Sequence, residues 1–275
     1  MNGRRRTTLW REHVALWRDA WRRVVSHRRQ VVLITLLLWV PWRFVVPLVD
    51  RQLGFGAFAG FPLEWIADAL YDPLYGATIL AVLAEMYPIS VRSALLRGFW
   101  LVPRLWLIEI KVAIWGLAAP YLILHLGAAT VLTLWPSYGA ARALFAVTIV
   151  SMAWVLIVVV RYMLAAAVMV AETQGHTWNG EQAPSTGWAL SAARQLIRGN
   201  AGQAVLVMAV GQGVISLIVS LLPSGDTVPA QVLNAAGMVV TALWWALLWS
   251  FCQLCLNRAR GVTAQEATHG RQKAR

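Results

Sequence analysis

Long apolar runs constrain this chain more than any other feature. Crossing a hydrocarbon layer about 30 Å thick takes about 20 mostly apolar residues in a helix. Six stretches reach that length: Val31–Val49, Ala67–Tyr87, Leu105–Leu126, Ala143–Met163, Gln203–Leu222 and Gln231–Leu256. Backbone polar groups find no water in lipid, so such runs close their hydrogen bonds internally as helices rather than strands. The expected fold is all-α: a polytopic membrane protein with six transmembrane helices. Apolar types make up 59% of the 275 residues and charged types only 13%, about half the share of a soluble domain. That balance excludes a soluble globular enzyme, a disordered basic tail and a disulfide-stapled secreted domain.

Charge then orients the runs. Lys and Arg number 24 against 12 Asp and Glu, a formal net charge of +12. With an inner N-terminus and six crossings, 19 of those 24 basic residues collect on one side. Nine lie in the first thirty residues, and Arg92, Arg97, Arg104, Arg194, Arg198, Arg258 and Arg260 are among the others. The positive-inside rule therefore places both termini in the cytoplasm. The N-terminus does not read as a cleaved signal, because its apolar region begins only after thirty residues and contains Arg43.

The chain divides into a cytoplasmic Arg/Trp-rich segment (1–30), a transmembrane domain (31–256) and a basic cytoplasmic tail (257–275). Within the first segment Trp10, Val14, Trp17, Trp21 and Val24 or Val25 recur at helical spacing. Arg11, Arg18, Arg22 and Arg23 surround them. Tryptophan on one face and arginine on the other suit an amphipathic helix on the inner membrane surface, with Trp10, Trp17, Trp21, Arg18 and Arg22 touching anionic headgroups. A cytoplasmic helix packed on the bundle's own loops is the alternative. Nucleic acid is not an expected partner, since the aromatic face would remain in water.

Two connections shape the rest. Gly54, Gly56, Gly60 and Pro62 mark an outer loop. Beyond it Asp72 reads as an N-cap with Pro73 at the first helical position. The second span is then either broken near Asp72 or, more simply, starts late at the outer interface. Ala143–Glu172 is thirty residues without Gly or Pro, about 45 Å of helix, which must tilt or project past the inner surface.

Charges inside spans are functional suspects by default. Glu85, Glu109, Lys111 and Arg161 all fall near predicted inner ends, so Glu109 or Glu85 is expected to pair with Arg161. A structural staple is the leading meaning of such a pair and a proton or ion relay the other. Cys252 and Cys255 stand three apart in an apolar run with no His nearby, which points to packing rather than metal or redox chemistry. No phosphate-binding loop, dinucleotide fingerprint or nucleophile elbow occurs, so neither an enzyme nor a cofactor is expected.

Arg161, Leu164-Ala165, Val168–Val170, Glu172, Ala189-Leu190, Leu196 and Arg198-Gly199-Asn200 form a pattern, joined upstream by Pro73–Ala77 and Ala94–Phe99. Together they resemble a bacterial family of six-helix inner-membrane proteins similar to the membrane domain of glycerophosphoryl diester phosphodiesterase. The resemblance runs from about residue 30 to 262. Ser151-Met152-Ala153 stands where that family has a Pro-Gly pair, Ala192 and Ala193 where it has Arg and Ser, and Thr173–Gly187 is an insertion. The resemblance implies topology and location and no catalytic activity. The expected role is a membrane scaffold or partner-binding subunit acting through its basic face and the segments Ser90–Arg104 and Thr173–Asn200. A transporter or lipid-handling protein with a site between spans two to five is the alternative.

Overall fold

The computed structural model describes residues 2–53, 63–118, 138–175, 185–221 and 228–273, with a few positions between 120 and 129. The outer glycine loop, Trp135 and the middle of the Thr173–Asn200 segment lie outside the described residues. Every described element is helical, and no strand occurs among the described residues. Helix α1 (Asn2–Ser26) leads into α2 (Arg28–Val40), a π-helical turn (Pro41–Val45) and α3 (Val46–Leu53). Helices α4 (Leu63–Leu83) and α5 (Val91–Ala113) follow, the latter extended by a second π turn (Ile114–Ala118). Then come α6 (Tyr138–Tyr162), α7 (Ala165–Gly175), α8 (Thr186–Gly199) and α9 (Ala201–Leu206). A third π turn (Val207–Gln212) joins α9 to α10 (Gly213–Ser220), and α11 (Val228–Lys273) ends the chain.

Among the described residues three stretches of helix are long and apolar enough to cross a bilayer: Phe145–Thr173, Ala201–Ile218 and Ala235–Arg260. They correspond to the last three of the six runs. Charge or proline stands inside each of the other three. Pro41 opens a π turn inside the first, Asp72 and Pro73 sit inside the second, and Glu109 and Lys111 inside the third. Leu70–Leu83 is apolar but shorter.

Several boundaries differ from expectation. Helix α4 starts at Leu63 and runs through Asp72 and Pro73 unbroken, so Asp72 is not its N-cap and the span neither breaks nor starts late there. Proline removes one backbone donor, which neighbouring helices and local adjustment make tolerable in an apolar helix. Ser90–Arg104 is not a connection but the first half of α5. Its start is fixed by Ser90, whose Oγ accepts from the Ser93 N–H at 3.1 Å. Ser185 caps α8 the same way, accepting from Trp188 N–H at 3.1 Å. The long helix expected over Ala143–Glu172 turns at Met163 and Leu164 before continuing as α7.

The core is centred on the second half of α4. Ala77, Thr78, Ile79, Leu80, Ala81, Val82 and Leu83 are all buried, with α5 along one side and α2, α7 and α11 on the others. Exposed large apolar side chains collect elsewhere: Leu33, Leu37 and Leu48 near the first π turn, Phe145, Val150 and Ile157 on α6, and Leu217 and Leu221 at the end of α10. A membrane protein distributes its side chains this way, with small and medium residues packed inside and bulky ones facing hydrocarbon. Glycine makes the tightest crossings. A Cβ at Gly211 would lie 2.7 Å from Leu247 Cδ2 and 3.0 Å from Trp244 Cζ3, so α11 and the third π turn meet nearly backbone to side chain.

Candidate functional site

The N-terminal helix is built into the bundle. His13, Leu16, Ala20, Val24 and His27 recur at spacings of three and four and are buried, with α1 packed mainly along α11. Polar contacts fix the register. Arg258 pairs with Glu12 and donates to Asn200 Oδ1 at 2.6 Å, while Ser250 Oγ donates to Asp19 Oδ2 at 2.6 Å. Arg23 donates through Nε to Asp19 Oδ2 at 2.9 Å and through Nη1 to the Leu83 carbonyl at 3.1 Å, tying α1 to the last turn of α4. The contacts at 12–258 and 19–250 make α1 antiparallel to α11. Backbone bonds from His27 N–H to Arg23 O (3.1 Å) and from Val31 N–H to His27 O (3.0 Å) carry α1 into α2.

One face of the expected surface helix is thus taken up by the bundle. Helix α1 follows α11 for about four turns instead of lying apart from the bundle. Trp17 is half-buried against the core, and its Nε1–H donates to His13 Nε2 at 3.0 Å. Trp10 and Trp21 do remain exposed, at 56% and 58%, and with Val14 and Val25 they form an outward apolar stripe. Arg18 and Arg22 are exposed on the next face round the helix.

Electrostatics at this seam follow from its contacts. Burial works to raise the Asp19 carboxyl, but hydrogen bonds from Ser250 and Arg23 and the charges of Arg23 and Arg22 outweigh it and hold the group below its ordinary value. A carboxyl depressed in the fold stabilises it above the ordinary carboxylate range, and that contribution is lost as pH falls through the depressed value. Asp19→Asn should therefore lower the melting temperature at pH 7, by the equivalent of about 1 kcal/mol or less because the carboxylate is partly solvated. The gap between variant and parent should close as the pH of the melts is taken down towards 3. Burial lowers the His13 imidazole from its usual value, so it packs as a neutral ring at pH 7.

The charges within spans are arranged differently from expectation. Among the described residues neither Glu85 nor Glu109 forms an ion pair with Arg161. Glu85 pairs with Arg97, because the turn between α4 and α5 sets the two helix ends side by side. Arg161 lies over the Tyr162 ring, 5.8 Å from its centroid. Lys111 Nζ donates to Thr186 Oγ1 at 2.9 Å at the start of α8. Glu109 stands apart, lining a lateral cavity of about 560 Å³ with Tyr162, Gln212, Trp244 and Trp245.

A second cavity, about 770 Å³, opens where α7, α8 and α11 converge and is lined by Glu172, Trp188, Gln195, Asn200 and Arg258. Cys252 and Cys255 are free thiols buried in the core. Sequence reading missed Tyr75, whose hydroxyl donates to the Met238 carbonyl at 2.9 Å and lies 3.2 Å from Thr35 Oγ1, joining α4, α11 and α2. It also missed Glu12, Asp19, Ser250 and Arg258, whose partners lie more than two hundred residues apart and leave no local signal.

Fold and sites together define a protein whose described residues are helical, with three helices among them able to cross a bilayer and a basic helix locked against the last of these. No protein family, curated protein or solved structure matches this chain.

Proposed function

We propose that this chain is a six-pass protein of the bacterial inner membrane, with both termini cytoplasmic, that serves as a non-catalytic scaffold or partner-binding subunit. The observation supporting this reading is the mounting of α1. One face is locked to α11 and α4, while the opposite side holds Trp10, Val14, Trp21 and Val25 in the open beside Arg18 and Arg22. Exposed tryptophans on a rigid helix are not needed for its own packing, and beside arginine they suit anionic headgroups and the helices of a membrane partner. The first half of α5 adds a similar surface, with Leu96, Phe99 and Trp100 exposed on the helix that carries Arg92 and Arg97.

Six spans follow from adding the other three runs to the three apolar helices, and the basic residues then fall inside. Reporter fusions at each terminus should both report a cytoplasmic location. For the binding role, the full chain extracted in mild detergent should retain phosphatidylglycerol, with any membrane-protein partner identified by mass spectrometry. Replacing Trp21 and Arg18 together by alanine should reduce that retention several-fold without lowering the melting temperature, because these side chains are exposed and lie off the docked face. Unchanged lipid and protein content would refute the role of this face.

A further inference from the structure

The cavity at Glu109 is absorbed by neither the scaffold role nor the α1 contact. Its walls come from α5, α6, α11 and two of the three π turns, Ile114–Ala118 and Val207–Gln212, which contribute Gly116, Met208 and Gln212. A π turn widens a helix by one residue and frees backbone from the regular ladder, and such turns recur at functional sites. Here two of them flank one groove. Its volume, about 560 Å³, and its mostly apolar lining with few polar groups are those of a small-molecule site.

We infer that this groove binds an amphiphile with a cationic amine head, the head meeting the Glu109 carboxylate and the apolar chain lying along the wall formed by Trp244 and Trp245. Charge complementarity selects the occupant. Glu109 is exposed to the groove and has no ion-pair partner among the described residues. A carboxylate among apolar walls is costly until a countercharge arrives. The nearest basic side chains along the chain are otherwise placed, Lys111 on Thr186 and Arg161 over Tyr162, and neither lines the cavity. An anionic amphiphile would therefore meet a like charge with no cation to offset it.

The aromatic walls favour the same head. Trp244 and Trp245 line the groove, and aromatic rings attract ammonium groups. A bare divalent ion is a poorer fit, since such ions want six or more oxygen ligands and the groove's side chains offer the Glu109 carboxylate, the Gln212 amide and the Tyr162 hydroxyl. The inference rests on placement of this region in the bilayer, and is independent of the scaffold role. An aminophospholipid of the bilayer and a free cationic amphiphile share the required chemistry.

Binding to the full-length protein tests it. In maltoside micelles at pH 8, dodecylamine should bind roughly tenfold or more tightly than dodecanol, the difference a charge-assisted hydrogen bond makes. Glu109→Gln should erase that preference and Glu109→Asp should keep it. Ala113→Trp should block binding with the charge intact, since Ala113 is an exposed part of the groove's lining. Each variant is compared only where it elutes as the parent does, so the aspartate variant serves if the glutamine variant fails to fold. In nanodiscs, native mass spectrometry should then show the source. Phosphatidylethanolamine retention that Glu109→Gln abolishes assigns the site to a bilayer lipid, and retention unchanged by Glu109→Gln alongside tight dodecylamine binding assigns it to a free amine. Equal binding of amine and alcohol, or an amine preference that survives Glu109→Gln, would overturn the inference.

Discussion

Deleting residues 2–27 should leave a protein that still inserts into the membrane but melts well below the parent. The loss has identifiable parts. Burial of Leu16 and Val24 contributes about 3–6 kcal/mol, and Ala20 and the His13 ring add close packing. The deletion also strips Ser250 of its carboxylate acceptor, Arg258 of Glu12 and the Leu83 carbonyl of the Arg23 guanidinium. Ser250 is buried, so leaving its hydroxyl without that acceptor costs more than the bond was worth. The measurement is thermal unfolding in mild detergent, supported by limited proteolysis of α11. An unchanged melting temperature would mean that α1 is an appendage.

The second large effect should come from Gly98→Leu. Gly98 lies where α5 crosses α4, and a Cβ there would overlap Thr78 Oγ1 and lie 3.0 Å from Thr78 Cα. Thr78 is buried, and its neighbours Ala77 and Ile79 are fully buried too, so neither backbone nor side chain has room to retreat. Alanine alone should cost about 1–3 kcal/mol, and leucine should separate the hairpin and reduce the yield of folded protein. Gly202→Ala provides the contrast. Nothing lies within 4 Å of a Cβ there, and replacing a helical glycine should be neutral or stabilising by up to about 1 kcal/mol. The pair is read by folded yield and melting temperature. Similar behaviour of the two variants would show that the α4–α5 contact is looser than its geometry.

Much of the helical layout was legible in the chain because each apolar run carries its own signal. What the runs could not reveal is which face meets which neighbour. In α1 the heavy hydrophobic stripe through Trp10, Val14 and Trp21 reads as the obvious contact, yet the docked face is His13, Leu16, Ala20, Val24 and His27. Smaller residues let two helices approach closely, and a tryptophan in that seam would hold them apart. Pairing of charges was similarly hidden. Glu85, Glu109 and Arg161 seem equivalent by distance from predicted span ends, but the short turn after α4 brings Arg97 to Glu85 first. The groove left no linear trace, since its lining comes from four separated segments and its shape from π turns that periodicity does not register. Ser90 and Ser185 are the opposite case, being local caps whose helices start where a serine allows.

Helix α11 runs from Val228 to Lys273, 46 residues or about 69 Å, more than twice the thickness of a hydrocarbon layer. One unbroken rod therefore carries Trp244 and Trp245 at the groove and Ser250 and Arg258 at the α1 seam, with about 20 Å of axis between Trp245 and Arg258. Such a rod behaves as a lever. Any tilt imposed where the tryptophans lie is delivered, undiminished in angle, to the arginine-bearing end, so an occupant of the groove and a partner on the basic face would feel each other through rigid geometry alone.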